Sequence, residues 1–125
     1  MNLLSVRGLT KRFGASTVFA NVSFTLAPGE LVAVLGESGV GKSTLLNCIA
    51  GLEPADGGEV HLHGQPLPWH DETALAHWRR QQLGFVFQAF HVLPHLSVAQ
   101  NVALPLLLLK RPDAARVQAL LESVG

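Results

Sequence analysis

Nine consecutive residues, Gly36-Glu37-Ser38-Gly39-Val40-Gly41-Lys42-Ser43-Thr44, hold three glycines, one lysine and three hydroxyl side chains. Gly36, Gly41, Lys42 and Ser43 meet the spacing G-x-x-x-x-G-K-[ST]. Glycines at 39 and 41 free the backbone to turn its N–H groups inward and to approach an oxyanion without a Cβ in the way. A helix beginning at the end of the loop adds unpaired N–H groups and the positive end of its dipole. Lys42 then supplies a mobile charge for terminal phosphates, and the Ser43 hydroxyl is placed to ligate Mg²⁺. The expected ligand is a nucleoside phosphate.

That chemistry requires an apolar strand before the loop and a helix after it, and the sequence offers both. Leu31-Val-Ala-Val-Leu35 has no polar face, which predicts a parallel strand covered on both sides. Lys42 to Ala50 reads as a helix stopped by Gly51. Upstream, Val18, Ala20, Val22, Phe24 and Leu26 alternate along a strand from Thr17 to Leu26. Residues 2–13 form its expected partner through a turn at Gly14-Ala15-Ser16, and 27–30 form a further turn. Downstream, 53–58 is turn chemistry and 59–64 a short strand ending at Gly64. Asp71 caps an expected helix over 72–81, and 83–88 reads as a second buried strand. Ser97 with Gln100 spells a capping box, and Pro105 is expected to kink or interrupt the helix it begins. Asp113 opens a last helix with Val117, Leu120, Leu121 and Val124 on one stripe, and Gly125 stands where a helix stop belongs.

Composition narrows the function. The chain has 125 residues, 48% of them hydrophobic and 14% charged, which is enough for one core and excludes a disordered chain. Lys plus Arg and Asp plus Glu both number nine, and the basic residues are scattered, so no nucleic-acid partner is expected. Cys48 is the single cysteine and implies no disulfide. Arg7, Lys11 and Arg12 break the first apolar run before any cleavage-like site, so it is not a secretory signal. The greasiest stretch, 102–109, is far shorter than the roughly 20 residues of a membrane span and contains Pro105. A cytoplasmic location is the expectation. His61 and His63 share a strand face without a cysteine, aspartate or third histidine close by in sequence, and they read as surface histidines rather than a zinc site. Trp69 and Trp78 read as packing residues.

Among nucleotide enzymes, small nucleotide kinases carry such a loop near the start of the chain, whereas here about 35 residues of antiparallel pattern precede it. A GTPase would carry Asn-Lys-x-Asp, and no asparagine here is followed by lysine. A non-catalytic binding module stays open. Phe13 before a hairpin, "GESGVGKSTLLNCIAGLEPADGGEV" and "LGFVFQAFHVLPHLSVAQNVALPL" run in an order and spacing that resemble the ATP-binding subunit of an ABC transporter. The second half is most similar to the branch serving lipoprotein-releasing and macrolide-export systems.

The resemblance implies an α/β fold: a P-loop NTPase core with an N-terminal antiparallel β subdomain, truncated within the helical subdomain. Residues 1–30 would be the β region, 31–88 the nucleotide-binding core to the Q-loop, and 89–125 the start of the helical subdomain. By the same resemblance Phe13 stacks on adenine, where the family more often has tyrosine, and Val18 packs beside the ribose. Gly36, Glu37, Ser38, Gly39, Val40, Gly41, Lys42, Ser43 and Thr44 cradle the phosphates of ATP. Ser43 and Gln88 touch Mg²⁺, and Lys42 and Gln88 act on the transferred phosphate and its attacking water. A core position for Phe13 and a solvated strand end for Gln88 are the plainer alternatives.

The implied partners are a transmembrane permease subunit and a second nucleotide-binding subunit, with the chain peripheral to the inner membrane. Coupling of ATP binding and hydrolysis to export or release of a substrate is the implied function. The family's Gly-Gly signature, its apolar strand ending in Asp-Glu and its later histidine are missing, since Gly125 is the only glycine after Gly84 and Asp71-Glu72 follows His70. Phosphoryl transfer depends on the charges those segments position. The chain alone is therefore expected to bind Mg-ATP weakly, not to turn it over, and to expose apolar surface. The alternative is a truncated or vestigial fragment that docks on a membrane subunit through Gln88 to Leu109.

Overall fold

The computed structural model describes residues 2–37, 39, 41–87 and 92–125. It divides into two compact units, 1–76 and 77–125, each taken here by itself.

The first unit is built on a sheet of order β2-β1-β3-β4, with β1 Leu4–Phe13, β2 Ser16–Leu26, β3 Gly57–Leu62 and β4 Gln65–Pro66. Every pairing is antiparallel. Gly14 at φ +60° turns β1 into β2, because a two-residue hairpin turn needs positive φ and glycine adopts it without strain. β1 is central and supplies two of the largest fully buried side chains, Val6 and Leu9 at 1% exposure, with Val60 and Leu62 of β3 beside them. From α1 (Lys42–Ile49) come Leu45, Cys48 and Ile49.

β2 departs from strict alternation. Val18, Val22, Phe24 and Leu26 are half-buried as expected, but Ala20 is exposed and Phe19 takes its place. Asn21 sits at φ +52°, and the β1–β2 register shifts on either side of Leu9. A left-handed residue inserts an irregularity that flips the faces beyond it. Thr10 Oγ1 accepts from Asn21 N at 3.1 Å and Ser23 Oγ accepts from Gly8 N at 2.8 Å, so the ladder bonds lost there are replaced by side chains. β3 begins two residues before the expected strand and ends at Leu62, leaving His63 in the turn at φ +51° rather than on a strand face with His61.

The two expected buried strands are corrected. Neither 31–35 nor 83–87 pairs in a sheet among the described residues. Leu31 is 96% exposed, Leu35 89% and Val86 97%. Apolarity on both faces states what covers such a strand must find, and a parallel neighbour has to come from distant sequence.

Helix α2 (Glu72–Gln82) crosses the boundary between the units. Asp71 Oδ1 accepts from the N–H groups of Thr73 and Ala74, as its position predicts. In the second unit α3 (Val98–Leu108) has both halves of its capping box: Ser97 Oγ accepts from Gln100 N and Gln100 Oε1 accepts from Ser97 N. Asn101 adds three donations from Nδ2, to the carbonyls of Leu93, Leu96 and Ser97, fixing the approach to the helix. The helix continues through Pro105, so of the expected kink or interruption the interruption does not occur. Only one ladder bond, to Asn101 O, is lost for want of the proline N–H. α4 (Ala114–Ser123) starts at Asp113, whose Oδ1 accepts from Arg116 N, and packs with α3. Of its expected stripe Val117 is buried and Leu121 half-buried, while Leu120 and Val124 are exposed.

Candidate functional site

The glycine-rich loop enters α1 at Gly41, the helix N-cap, with φ +97°. A Cβ at this position would lie 2.6 Å from Val18 Cγ1 and 3.3 Å from Val18 O. Gly41 is thus required twice, by backbone conformation and by close approach of β2. Gly39 has φ +83° with open space around it, so its requirement is conformational alone. Ser38 and Val40 lie outside the described residues.

Lys42 folds its ammonium back onto the loop, donating to Gly36 O and, at 3.0 Å, to Glu37 O. The side chain spans the loop it belongs to and needs only to exchange carbonyl acceptors for a ligand oxyanion. The first N–H groups of α1 have no acceptor inside the helix, because its first turn leaves them unpaired. No acidic residue stands in that turn. Ser43 is exposed and Thr44 half-buried at the same end. Helix dipole, ammonium and hydroxyls make a donor set that suits a polyphosphate. The residues present therefore fit a nucleoside triphosphate, with the Ser43 hydroxyl available to its magnesium ion.

Phe13 ends β1 at 55% exposure, which removes it from the core and leaves a ring face open to a ligand. It pairs with Ser16 across the hairpin, and Arg12 pairs with Thr17, so the ring and Val18 stand at one end of one hairpin. Val18 in turn abuts Gly41. Hairpin end and glycine loop are thereby joined through a named contact. Gln88 lies outside the described residues.

Three interactions tie the end of β1 to the segment that leaves α1. Lys11 Nζ donates to Pro54 O at 2.7 Å, Arg12 N donates to Asp56 Oδ2 at 2.6 Å, and Asp56 N donates to Thr10 O at 2.8 Å. Lys11 is 7% exposed, and its ammonium lies 4.9 Å from the centroid of the Phe13 ring. Sequence reasoning overlooked Lys11 and Asp56. The Lys-x-Phe spacing on a strand, which puts both side chains on one face, was the available signal for Lys11. Nothing local marks Asp56 as the acceptor for Arg12.

Cys48 is fully buried, and burial pushes its thiol above the ordinary value, with Glu53 adding to the shift. It packs as a small apolar group. His61 Nδ1 stands 4.0 Å from Glu59 Oε2, and no cluster of three metal-ligating side chains occurs among the described residues. Trp69 is 37% exposed and Trp78 half-buried.

Comparison with known proteins bears on this arrangement. The ABC transporter family model matches residues 19–125. The methionine import ATP-binding protein MetN of Brucella abortus is 40% identical over 98% of this chain, which spans 34% of that protein. The sulfate/thiosulfate import ATP-binding protein CysA of Methylococcus capsulatus is 43% identical over 97% of this chain and 35% of its own length. The chain thus spans about a third of these relatives. The dimeric structure of MJ0796, a bacterial ABC transporter cassette, superposes with a TM-score of 0.78 at 35% identity, over 84% of this chain and 47% of that one. The post-hydrolysis state of MJ0796 bound to ADP and Pi gives 0.85 at 32% identity, over 95% and 56%.

These relatives are import proteins by name, so the likeness to the lipoprotein-releasing and macrolide-export branch and the export direction find no support in them. No helix among the described residues is long and apolar enough to cross a membrane. An α/β cassette fold, a glycine loop at the head of α1 and a family match over most of the chain converge: the chain belongs to the ABC transporter family and carries part of its ATP-binding domain.

Proposed function

We propose that this chain binds Mg-ATP through Gly36–Thr44, the Walker A loop, as the ATP-binding part of an ABC transporter. The observation that carries the reading is Lys42. Its ammonium is folded over the loop at a helix end free of acidic residues, beside a Gly41 that Val18 leaves no room to replace. Phe13 offers the adenine a stacking face and Val18 a wall for the ribose. Ser43 and Gln88 serve Mg²⁺, Gln88 as the Q-loop glutamine. Residues 1–30 act as the β region, 31–88 as the nucleotide-binding core and 89–125 as the start of the helical subdomain. When bound, Mg-ATP supplies the phosphoryl chemistry. The residues of this chain hold and orient it, with turnover requiring charges positioned by other segments.

A membrane permease and a second nucleotide-binding subunit are the partners this role requires, on the cytoplasmic side of the membrane. The direction of transport follows the import relatives. Their solutes, an amino acid and inorganic sulfur oxyanions, are chemically unrelated at similar identity, so this part of the chain does not select the solute.

A second reading, a fragment that docks on a membrane subunit through Gln88 to Leu109, is favoured by α3. That helix has no buried residue and exposes Val98, Leu107 and Leu108. Calorimetric titration of Mg-ATP into wild type and Lys42→Ala separates the two. Under the first reading the mutant loses at least about 100-fold in affinity. Equal affinity in both proteins, or no binding by wild type, supports the docking reading instead.

A further inference from the structure

Lys11 is a charged side chain at 7% exposure with no carboxylate within ion-pair distance among the described residues. A buried ammonium is costly unless something replaces its water. Here the replacements are one carbonyl, Pro54 O at 2.7 Å, and the π face of Phe13 at 4.9 Å from the ring centroid. A methionine or leucine would fill the same space without that cost, so packing alone does not explain a lysine. The ring it touches is itself more than half exposed at the end of a strand, with no other ring or cation against it among the described residues.

We propose that Lys11 is a positioning residue for nucleotide binding, holding the Phe13 ring by a cation–π contact on one face so that the other face stacks on the base. The proposal rests on the reading of Phe13 as the adenine platform. An ammonium on one face fixes the ring's orientation and draws π density toward itself. The opposite face becomes a better partner for an electron-rich heteroaromatic ring.

The anchoring extends further. Pro54 belongs to the segment leaving α1, and that segment is bound to the same strand end by Arg12 N to Asp56 Oδ2 and Asp56 N to Thr10 O. Val18 meets Gly41 at the opposite end of the helix. Base platform and phosphate loop are therefore both braced on α1, at its exit and its entry, and Lys11 is the side chain that carries the brace to the ring.

The test compares Mg-ATP with inorganic tripolyphosphate, which has the phosphates and lacks the base, on the full chain. Lys11→Met should weaken ATP by about 3- to 30-fold and leave tripolyphosphate within about twofold, and Lys11→Arg should restore most of the loss. In a Phe13→Leu background the Lys11→Met effect should vanish. Equal ATP affinity in Lys11→Met and wild type, an equal loss of both ligands, or a loss that persists without the ring would overturn the proposal. Tripolyphosphate binding with no preference for ATP removes the platform and the proposal together while the phosphate loop stands. Absence of both ligands from wild type removes the nucleotide reading itself. Should Lys11→Met fail to fold, the Lys11 ε-methylene protons of wild type decide by NMR. An upfield ring-current shift that disappears in Phe13→Leu is expected, and unshifted protons would overturn the contact.

Discussion

The segments 31–37 and 83–87 are more apolar than the strands of the sheet β2-β1-β3-β4, yet it is the sheet that is covered. In the sheet each strand finds an antiparallel partner close in sequence or across one helix, and Val6, Leu9, Val60 and Leu62 become buried. The two segments have no ladder partner among the described residues, and Leu31, Leu35 and Val86 stand almost fully exposed. Hydrophobic pattern sets what a strand requires, and topology decides whether it is supplied. Antiparallel pairs close over two-residue turns, whereas parallel ones wait for a crossover. In segment 83–87 the ring centroids of Phe85 and Phe87 lie 4.5 Å apart.

The sharpest test of that contrast removes one side chain from each region. Leu9→Ala should cost about 2–5 kcal/mol of unfolding free energy, since it opens a cavity at the best-covered position of β1. Val86→Ala should change stability by less than about 0.5 kcal/mol, because its side chain is already in water. Urea denaturation measures both, and comparable losses would mean that 83–87 is covered in solution.

Much of the local structure was legible from local chemistry. The Gly14 turn, the Asp71, Ser97 and Asp113 caps and the Gly51 stop each depend on a residue type meeting backbone groups one to four positions away. The glycine loop is legible for the same reason. Asn21 was not, because left-handed asparagine is common in turns and only the β1 ladder requires it inside a strand. Lys11 was legible only as a same-face neighbour of Phe13, because a lysine reads as surface until its burial beneath Phe13 and beside Pro54 is seen. The patterns at 31–35 and 83–88 predicted buried strands, and no sheet partner stands beside 31–35 or 83–87 among the described residues. Ser38, Val40 and Gln88, outside the described residues, rest on sequence alone.

Within the glycine loop the contrast can be drawn again on a smaller scale. Gly41→Ala places a methyl group against Val18 at a positive φ, whereas Gly39→Ala meets the φ cost in open space. Gly41→Ala should lower stability by about 2–3 kcal/mol, and Gly39→Ala by about 1 kcal/mol. Nucleotide affinity should fall more than tenfold in the former. A Gly41→Ala protein that binds Mg-ATP normally would show that Val18 is not against the loop in solution. In the second unit, Ser97→Ala removes one reciprocal half of the α3 cap and should cost about 1 kcal/mol. Faster amide exchange over Ala99–Asn101, with α4 unchanged, would localise the effect.

The smallest effect belongs to Cys48, and its sign follows from its burial. The folded state disfavours the thiolate, so the thiol pKa is raised above its unfolded value. Stability from this group is complete below the ordinary thiol range and falls as pH rises through it, because the unfolded chain then releases a proton that the folded chain retains. Between pH 8 and 9 the decline should stay well under about 1 kcal/mol. Cys48→Ala should be less stable at neutral pH, having lost packing beside Leu45 and Ile49, and should lack that alkaline slope. Denaturation midpoints for both proteins at neutral and alkaline pH measure the difference. An identical slope in both would assign it to other groups and leave the Cys48 thiol without a part in the pH response.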